Sequence, residues 1–282
     1  MSWGKSMWGG SKKIDIPKTQ NLKLIHLPGA GLDAIEFDHI PKKCKVCNVY
    51  EHEIPIAEYC IGTILNWEMR LIEKANKFKK LDWSDCMIFD GKNHGELFNK
   101  TVGILGYGKI GLEIAKRLRM FGVNIIGYTR VARKKDKLLH SSYPSIQLKK
   151  TVNKLDYLII ACPLTKDTKG IINKKILKFM RKNSVIINVA RGGIINEKDL
   201  YLALKNKEIA GAIIDTWFNY PINKKQNGFN PSSFNYYKMP NVLMTPHISA
   251  WSEGMIRRRS LIISENINRL YNGKKLLNEI KY

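Results

Sequence analysis

The chain has 282 residues, long enough for a large core and for two domains. Hydrophobic residues make up 44%, yet no apolar run reaches the length of a membrane span, and residues 1–6 lack the apolar stretch of a secretory signal. The formal net charge of +24 is the one compositional argument for nucleic-acid binding. The excess is mostly Lys spread along a chain rich in Asn and Ile, and the densest cluster, Arg257-Arg258-Arg259, falls on a helix where consecutive residues point in different directions. Neither nucleic acid nor membrane is therefore an expected partner. The five cysteines are too few and too scattered for a disulfide framework, which points to a reduced, cytoplasmic protein.

In chain order, residues 1–21 form no convincing element. A strand is expected over 22–27, then the loop Pro28-Gly29-Ala30-Gly31, then a strand over 44–49 that contains Cys44-Lys45-Val46-Cys47. A zinc site needs about four ligands and a redox CxxC wants a helix N-terminus. This CxxC has neither in sequence, so no metal is expected. A long helix is expected over 55–77, with Pro55 in its first turn. Short apolar runs then alternate with amphipathic segments. Strands are expected over 102–105, 123–126, 157–160, 185–187, 212–214 and 242–244, with helices over 110–121, 146–152, 174–180 and 197–206. Near-continuous apolar strands separated by helices read as a doubly wound parallel sheet of the Rossmann type, an α/β domain over 93–250. Residues 1–92 read as a smaller α/β domain, completed by a C-terminal helix within 251–282. The polar loop 223–238 is expected to border a functional site.

The sequence Gly106-Tyr107-Gly108-Lys109-Ile110-Gly111 lies between the first of those strands and its helix. Each glycine has a role there. Gly106 allows a tight turn, Gly108 lets a pyrophosphate approach the backbone, and Gly111 lets helix and strand pack closely. The first-turn N–H groups around Lys109 and Ile110 face the anion. A NAD-binding unit usually carries an acid roughly 20 residues on, to hold the ribose 2′-OH. Here the second strand ends Gly127-Tyr128-Thr129-Arg130, with Arg133, Lys134 and Lys135 following and no acid before Asp136. A hydroxyl beside a guanidinium accepts a 2′-phosphate. The expected cofactor is NADP(H), with NAD(H) as the alternative. Arg130 is the expected clamp, Thr129 its hydroxyl partner and Arg133 a second contact. The competing reading is a solvated basic loop.

Three later segments place polar residues at carboxyl ends of strands, where such folds bind ligands. Arg191 follows the strand over 185–187, Asp215 the strand over 212–214, and His247 the last strand. An Arg for a carboxylate and carbonyl, with a His for a hydroxyl proton, fits hydride transfer at a C–OH or C=O carbon.

On these residues the chain resembles the D-isomer-specific 2-hydroxyacid dehydrogenases. The matching segments include LPGAGLD at 27–33, IPIAEY at 54–59, GELFNKTVGILGYGKIG at 95–111, ACPLTKDTKGII at 161–172, MRKNSVIINVARGGIINEKDL at 180–200, GAIIDTW at 211–217 and NVLMTPHIS at 241–249. The resemblance implies two α/β domains that close over a cleft, the smaller one flavodoxin-like, and a homodimer built through the dinucleotide domain. It implies that Arg191 binds and polarises a small 2-oxo acid such as glyoxylate or hydroxypyruvate, and that His247 is the general acid/base. Asp215 and Ser249 would hold the nicotinamide carboxamide. Cys162, Pro163, Thr168 and Ala190 would line the cofactor. Ala30 and Gly31 would offer backbone donors to the substrate carboxylate, and Trp251 would either wall the substrate pocket or pack in a hinge.

Two departures stand out. Most of the family carries a Glu five residues after the Asp, which pairs with the His and raises its pKa. Here that position is Tyr220, and a neutral phenol cannot stabilise imidazolium as a carboxylate does. Tyr220 is instead a candidate hydrogen-bond partner of His247 or substrate, and His247 is expected to titrate lower. Formate dehydrogenases of the superfamily also lack the Glu, so formate-like oxidation is one alternative. A non-catalytic dinucleotide sensor, as in the C-terminal-binding protein corepressors, is another. The second departure is length: family members begin with a strand–helix–strand unit before the segment matching Leu22, so the smaller domain is expected to be N-terminally truncated.

Overall fold

The computed structural model describes residues 21–32, 35–133, 136–221 and 228–282. The stretch before residue 21, Lys134, Lys135 and the start of the polar loop (222–227) lie outside them. In chain order the elements are β1 (Leu24–His26), β2 (Lys45–Cys47), α1 (Glu53–Met69), α2 (Leu71–Phe78), β3 (Thr101–Leu105), α3 (Lys109–Arg119), β4 (Asn124–Thr129) and β5 (Ser141–Pro144). Then come α4 (Leu148–Thr151), β6 (Tyr157–Ile160), α5 (Lys174–Leu177), β7 (Val185–Asn188), α6 (Glu197–Lys205), β8 (Gly211–Ile214), β9 (Val242–Met244) and α7 (Glu253–Tyr271). They form two compact units: a larger one, Glu53–Trp217 with Ser233–Ser249, and a smaller one, Met1–His52 with Phe218–Ser232 and Ala250–Tyr282.

The larger unit is a seven-stranded sheet in the order β5-β4-β3-β6-β7-β8-β9, every pairing parallel. Every residue of β6, β7 and β8 is buried, as strands covered on both faces require. The chain order reverses direction between β3 and β6, the place where such sheets open a ligand crevice. The division falls at His52/Glu53, whereas sequence placed it at 92/93. The reason is α1, which lies along α3 in the larger unit and reaches it with Glu58, 3.8 Å from Arg117.

Two further differences have local causes. The helix expected over 55–77 breaks at Arg70, which adopts φ 52°, while the Asn66 side chain takes the Ile72 amide at 3.0 Å and interrupts the ladder. The edge strand β5 carries Ser-Ser-Tyr-Pro, with neither alternation nor an apolar run to announce it.

Among the described residues, the strands of the smaller unit are β1 and β2, paired in parallel. Ile40, Cys44 and Val46 form one buried apolar cluster in it, with Ile25, Phe37 and Ile280 packed against them. The C-terminal tail runs antiparallel along β2: the Ile280 amide donates to Val46 O (2.8 Å), the Asn48 amide to Asn278 O (3.3 Å), and Glu279 bridges Cys47. Tyr282 closes the end, its hydroxyl donating to Cys44 O at 2.8 Å and its ring stacked on Phe37. Helix α7, capped by Ser252 accepting from the Met255 amide, sends buried Asn266 to His26 Nε2 and to the Leu277 carbonyl, both at 2.9 Å.

Candidate functional site

The glycine loop leaves β3 at the switch point. Gly106 has φ +99°, and a Cβ there would meet Cys162 N at 2.4 Å, so the loop passes directly over the segment following β6. A Cβ on Gly111 would meet Gly106 O at 2.4 Å, which is the close helix–strand approach expected of it. A Cβ on Gly108 would meet nothing within 4 Å. The open side of Gly108 and the start of α3 together form a cradle. Helices α5, α6 and α7 are capped by Asn173, Asn196 and Ser252, but the N-cap of α3 is Gly108, with no side-chain bond. No side chain therefore caps the first turn of α3, and the N-terminal end of that helix is suited to an anion. A dinucleotide pyrophosphate fits this arrangement.

At the end of β4, the Thr129 hydroxyl donates to the Val131 carbonyl. Arg130 is exposed and has no ion-pair partner among the described residues. Arg133 is differently placed. Its guanidinium donates to Tyr107 O at 3.1 Å, lies 5.0 Å from the Tyr107 ring centre and stands 3.6 Å from Asp136. Tyr107 itself donates to Asp136 at 3.3 Å. The acid that sequence placed beyond the loop thus folds back on it and engages Arg133, while Arg130 has no ion-pair partner among the described residues. Lys134 and Lys135 lie outside the described residues. On the facing loop, Thr168 donates to Pro163 O and accepts the Thr165 amide, both at 2.7 Å, so it braces the segment it was expected to line with. Cys162 is buried there, and burial pushes its thiol up to about 11.

The three strand ends carry Arg191, Asp215 and His247 as expected. Asn188, fully buried at the end of β7, accepts the Ala190 amide and donates to Arg191 O, both at 3.1 Å, which fixes the turn that presents Arg191. Arg191 donates to Ala190 O at 2.8 Å and is half-buried. Asp215 is fully buried and accepts three bonds: Thr245 Oγ1 at 2.6 Å, the Ile248 amide at 2.8 Å and the Ser249 amide at 2.9 Å. It therefore grips both sides of His247, whose backbone is left-handed with φ 59°. A non-glycine residue held there costs on the order of 1–3 kcal/mol. The His247 pKa is pushed down to about 4, first by burial and then by the Arg191 charge, with Asp215 opposing both. The direction is the one the missing carboxylate leads one to expect, but desolvation is the leading cause.

Sequence reasoning missed Asn188, Tyr59 and Thr245. Tyr59 lies on α1 and bonds Thr245 Oγ1 at 2.7 Å, and Trp217 donates to Thr245 O at 2.8 Å. No spacing rule joins residues 59 and 245, although both fall inside motifs quoted for other reasons.

The remaining candidates belong to the smaller unit. Ala30 and Gly31 follow β1, with Ala30 O accepting from Asn48 Nδ2 at 3.1 Å. Their own N–H groups donate to nothing among the described residues. Trp251 is 57% exposed. Tyr220 is half-buried in Phe218–Ser232. At the far end of the polar loop, Tyr236 is buried and donates to Glu197 O at 2.7 Å, anchoring that end to α6. Cys44 and Cys47 are free, buried thiols on or beside β2, and burial raises both pKa values. Within Arg257-Arg258-Arg259 the three side chains diverge: Arg257 is exposed, Arg258 pairs with Glu51 at 3.1 Å, and buried Arg259 donates to Tyr50 O at 2.7 Å. Among the described residues no helix is long and apolar enough to cross a membrane, and no group of three or more His, Cys, Asp or Glu could hold a metal.

Comparison with known proteins places this geometry. Residues 61–249 match the family described as D-isomer specific 2-hydroxyacid dehydrogenase, NAD binding domain. The chain is 32% identical over 265 residues to D-3-phosphoglycerate dehydrogenase of Methanocaldococcus jannaschii, covering 92% of this chain but 47% of that protein. It thus spans about half the length of that relative. It is 31% identical to glyoxylate reductase of Thermococcus kodakarensis, covering 94% of this chain and 79% of the other. A solved structure of an NADPH-dependent glyoxylate/hydroxypyruvate reductase from Sinorhizobium meliloti, in complex with NADP and malonate, superposes with TM-score 0.74 at 26% identity, covering 92% of this chain and 77% of that one.

Proposed function

Since the chain belongs to the D-isomer-specific 2-hydroxyacid dehydrogenase family, we propose that it is a reductase of small 2-oxo acids, such as glyoxylate or hydroxypyruvate, that prefers NADP(H) over NAD(H). The observation that carries this reading is the set of three strand ends, where His247 feels the charges of both Asp215 and Arg191. The Gly106–Gly111 loop and the start of α3 would hold the dinucleotide, with Ser249 and Asp215 at its nicotinamide end. Bound there, the dinucleotide supplies the hydride that ends on the 2-carbon. Arg191 holds the substrate carboxylate and polarises the carbonyl through its guanidinium fork. His247 Nε2 or Nδ1 gives its proton to the developing alkoxide, and in the reverse direction takes it from the hydroxyl. The N–H groups of Ala30 and Gly31, which donate to nothing among the described residues, suit a carboxylate. Arg130, with no ion-pair partner among the described residues, supports the 2′-phosphate preference, as do the NADP-bound relative and the engagement of Asp136 by Arg133.

Two features extend the reading. Leu71, Ile72, Phe78, Leu81, Met87 and Ile88 are each more than half exposed, a run of apolar surface on one stretch of chain. It suits a homodimer whose partner copy covers it. The five free cysteines suit a reducing cytoplasm.

Fluorescence titration with NADPH and with NADH, followed by turnover of glyoxylate and hydroxypyruvate, tests the proposal. Tighter NADPH binding and turnover of either acid are expected. The depressed His247 pKa favours one second reading, formate-like oxidation, which needs no proton donor at neutral pH. Reduction of NADP by formate, with neither oxo acid consumed, would replace the first reading by the second.

A further inference from the structure

The hydrogen bonds behind His247 form one directed chain that begins on a different element. Thr245 has a single hydroxyl proton and donates it to Asp215 Oδ1 at 2.6 Å. The 2.7 Å bond between Tyr59 and Thr245 Oγ1 therefore has Tyr59 as its donor. Burial keeps that phenol protonated by pushing its pKa up. The Thr245 carbonyl is fixed by Trp217 Nε1 at 2.8 Å, and the Asp215 oxygens take the Ile248 and Ser249 amides at 2.8 and 2.9 Å. His247 sits between these anchors in a sparsely populated backbone conformation, φ 59°, which persists only where the surroundings over-determine it.

We infer that Tyr59 is a positioning residue for His247: its hydroxyl orients Thr245, Thr245 commits its proton to Asp215, and Asp215 holds the amides that fix the His247 loop. The inference rests on the reading of His247 as proton donor only for its kinetic consequence. The loop clamp itself stands on the geometry. It also gives α1 a second duty. The helix lies along α3, which starts at the glycine loop, and Tyr59 extends from it to the catalytic loop. One element thus backs both the cofactor cradle and the proton donor. If Tyr59 only filled space, its ring would matter and its oxygen would not.

Tyr59→Phe removes that oxygen and leaves the ring. Thr245→Val removes the relay hydroxyl, and Thr245→Ser keeps it. Amide hydrogen exchange of the full chain at Ile248 and Ser249 should quicken about tenfold in Tyr59→Phe, the worth of one net hydrogen bond, and further in Thr245→Val. Thr245→Ser should recover most of the protection. With glyoxylate, kcat should fall about tenfold in Tyr59→Phe while the Kd for NADPH stays within about twofold. Unchanged exchange at both amides in Tyr59→Phe and Thr245→Val overturns the inference. So does a uniform rise in exchange across the chain with a lower Tm, since that marks general destabilisation. Faster exchange confined to this loop, in a wild-type chain that reduces no 2-oxo acid, upholds the clamp and overturns the proposed reaction instead.

Discussion

The seven strands of the larger unit and the two of the smaller are all parallel, but they are stabilised by different means. In the larger unit, β6, β7 and β8 are buried along their whole length, and the core side chains come from consecutive strands and the helices between them. Its edges are blunted by β5, which contains Pro144, and by the three-residue β9. Among the described residues the smaller unit has two strands of three residues each, a sheet too small to be stable without further support. It closes the β2 edge with the C-terminal tail and ties itself together through polar side chains from distant positions: Asn266 to His26, Arg258 to Glu51, Arg259 to the Tyr50 carbonyl. Apolar burial dominates the first unit, whereas specific hydrogen bonds contribute much more of the second. The first should tolerate loss of a bond better than loss of a glycine, and the second the reverse.

The largest expected effect leaves both units folded. His247→Asn keeps a polar side chain of similar size and removes the proposed proton donor. Oxo-acid turnover should fall by about 10²–10⁴, the usual contribution of general acid–base catalysis, with NADPH affinity and Tm unchanged. Steady-state kinetics beside fluorescence titration checks this. A simultaneous loss of cofactor binding would mean that His247 holds the larger unit together rather than serving its chemistry. The pH profile bears on the same group. With a free-chain pKa near 4, His247 is neutral at pH 7, so reduction should speed up as pH falls from 8 to 5. An acid/base pKa well above neutrality in the rate profile would show a support for imidazolium that the fold does not display.

Removing residues 278–282 tests the smaller unit directly. The truncation deletes the backbone bonds of Ile280 to Val46 and of Asn278 to Asn48, the Tyr282–Cys44 bond, the Phe37 stack, the Lys45–Glu279 ion pair and the packing of Ile280. The three hydrogen bonds and the aromatic pair alone, at about 1 kcal/mol each, make the loss about 4 kcal/mol or more. The prediction is early melting of the β1–β2 region in amide exchange, with NADPH binding by the larger unit intact. Loss of both at the same temperature would deny that the two units are stabilised separately.

Two glycines sharpen the contrast from the other side. Gly106→Ala places a Cβ 2.4 Å from Cys162 N at φ +99°. It should destabilise the larger unit by about 2 kcal/mol or more and weaken NADPH binding with it. Gly108→Ala meets nothing within 4 Å. Its Tm should hold or rise slightly as the unfolded chain loses freedom, yet the Kd for NADPH should rise about tenfold or more, because the methyl occupies the place of the pyrophosphate. Equal effects of the two variants on Tm would mean that the cradle at Gly108 is not open.

This contrast also explains what the residues could reveal in advance. The six apolar runs from 102 to 244 each became a strand, because burial on both faces leaves an unbroken hydrophobic signature, and the glycine loop announced its own geometry. The placement of Arg191, Asp215 and His247 after strand ends was legible because the strands that precede them were. The features that escaped are non-local. Arg70 breaks a helix through a side-chain bond from Asn66. Asp136 returns to Tyr107 across an intervening loop. Tyr59 meets Thr245 across the fold, and the tail finds β2 across most of the chain. None of these leaves a period or a spacing in the sequence. Each depends on packing that only the folded chain defines, which is why the polar ties of the smaller unit were the least visible.

The smallest predicted effect concerns one of those ties. The His26 Nδ1–H donates to Leu27 O at 3.2 Å, so its Nε2 is the acceptor of the 2.9 Å bond from Asn266. Protonation at Nε2 would set two donors against each other. Burial lowers the His26 pKa below 6.5, with the Leu27 carbonyl partly opposing it. A histidine that folding prefers neutral stabilises above its unfolded pKa, and that stabilisation is lost as pH falls from about 6.5 toward the lower folded value. The β1–β2 region should therefore lose exchange protection as pH drops from 7 to 5, after correction for intrinsic rates. His247 carries the same sign within the larger unit, so the two are separated by variant rather than by pH. His26→Gln offers a side-chain oxygen to Asn266 and does not titrate. It should flatten the acid loss in β1–β2 while leaving that of the larger unit in place. If the acid loss persists in β1–β2, the Asn266–His26 tie is not what makes the smaller unit sensitive to acid.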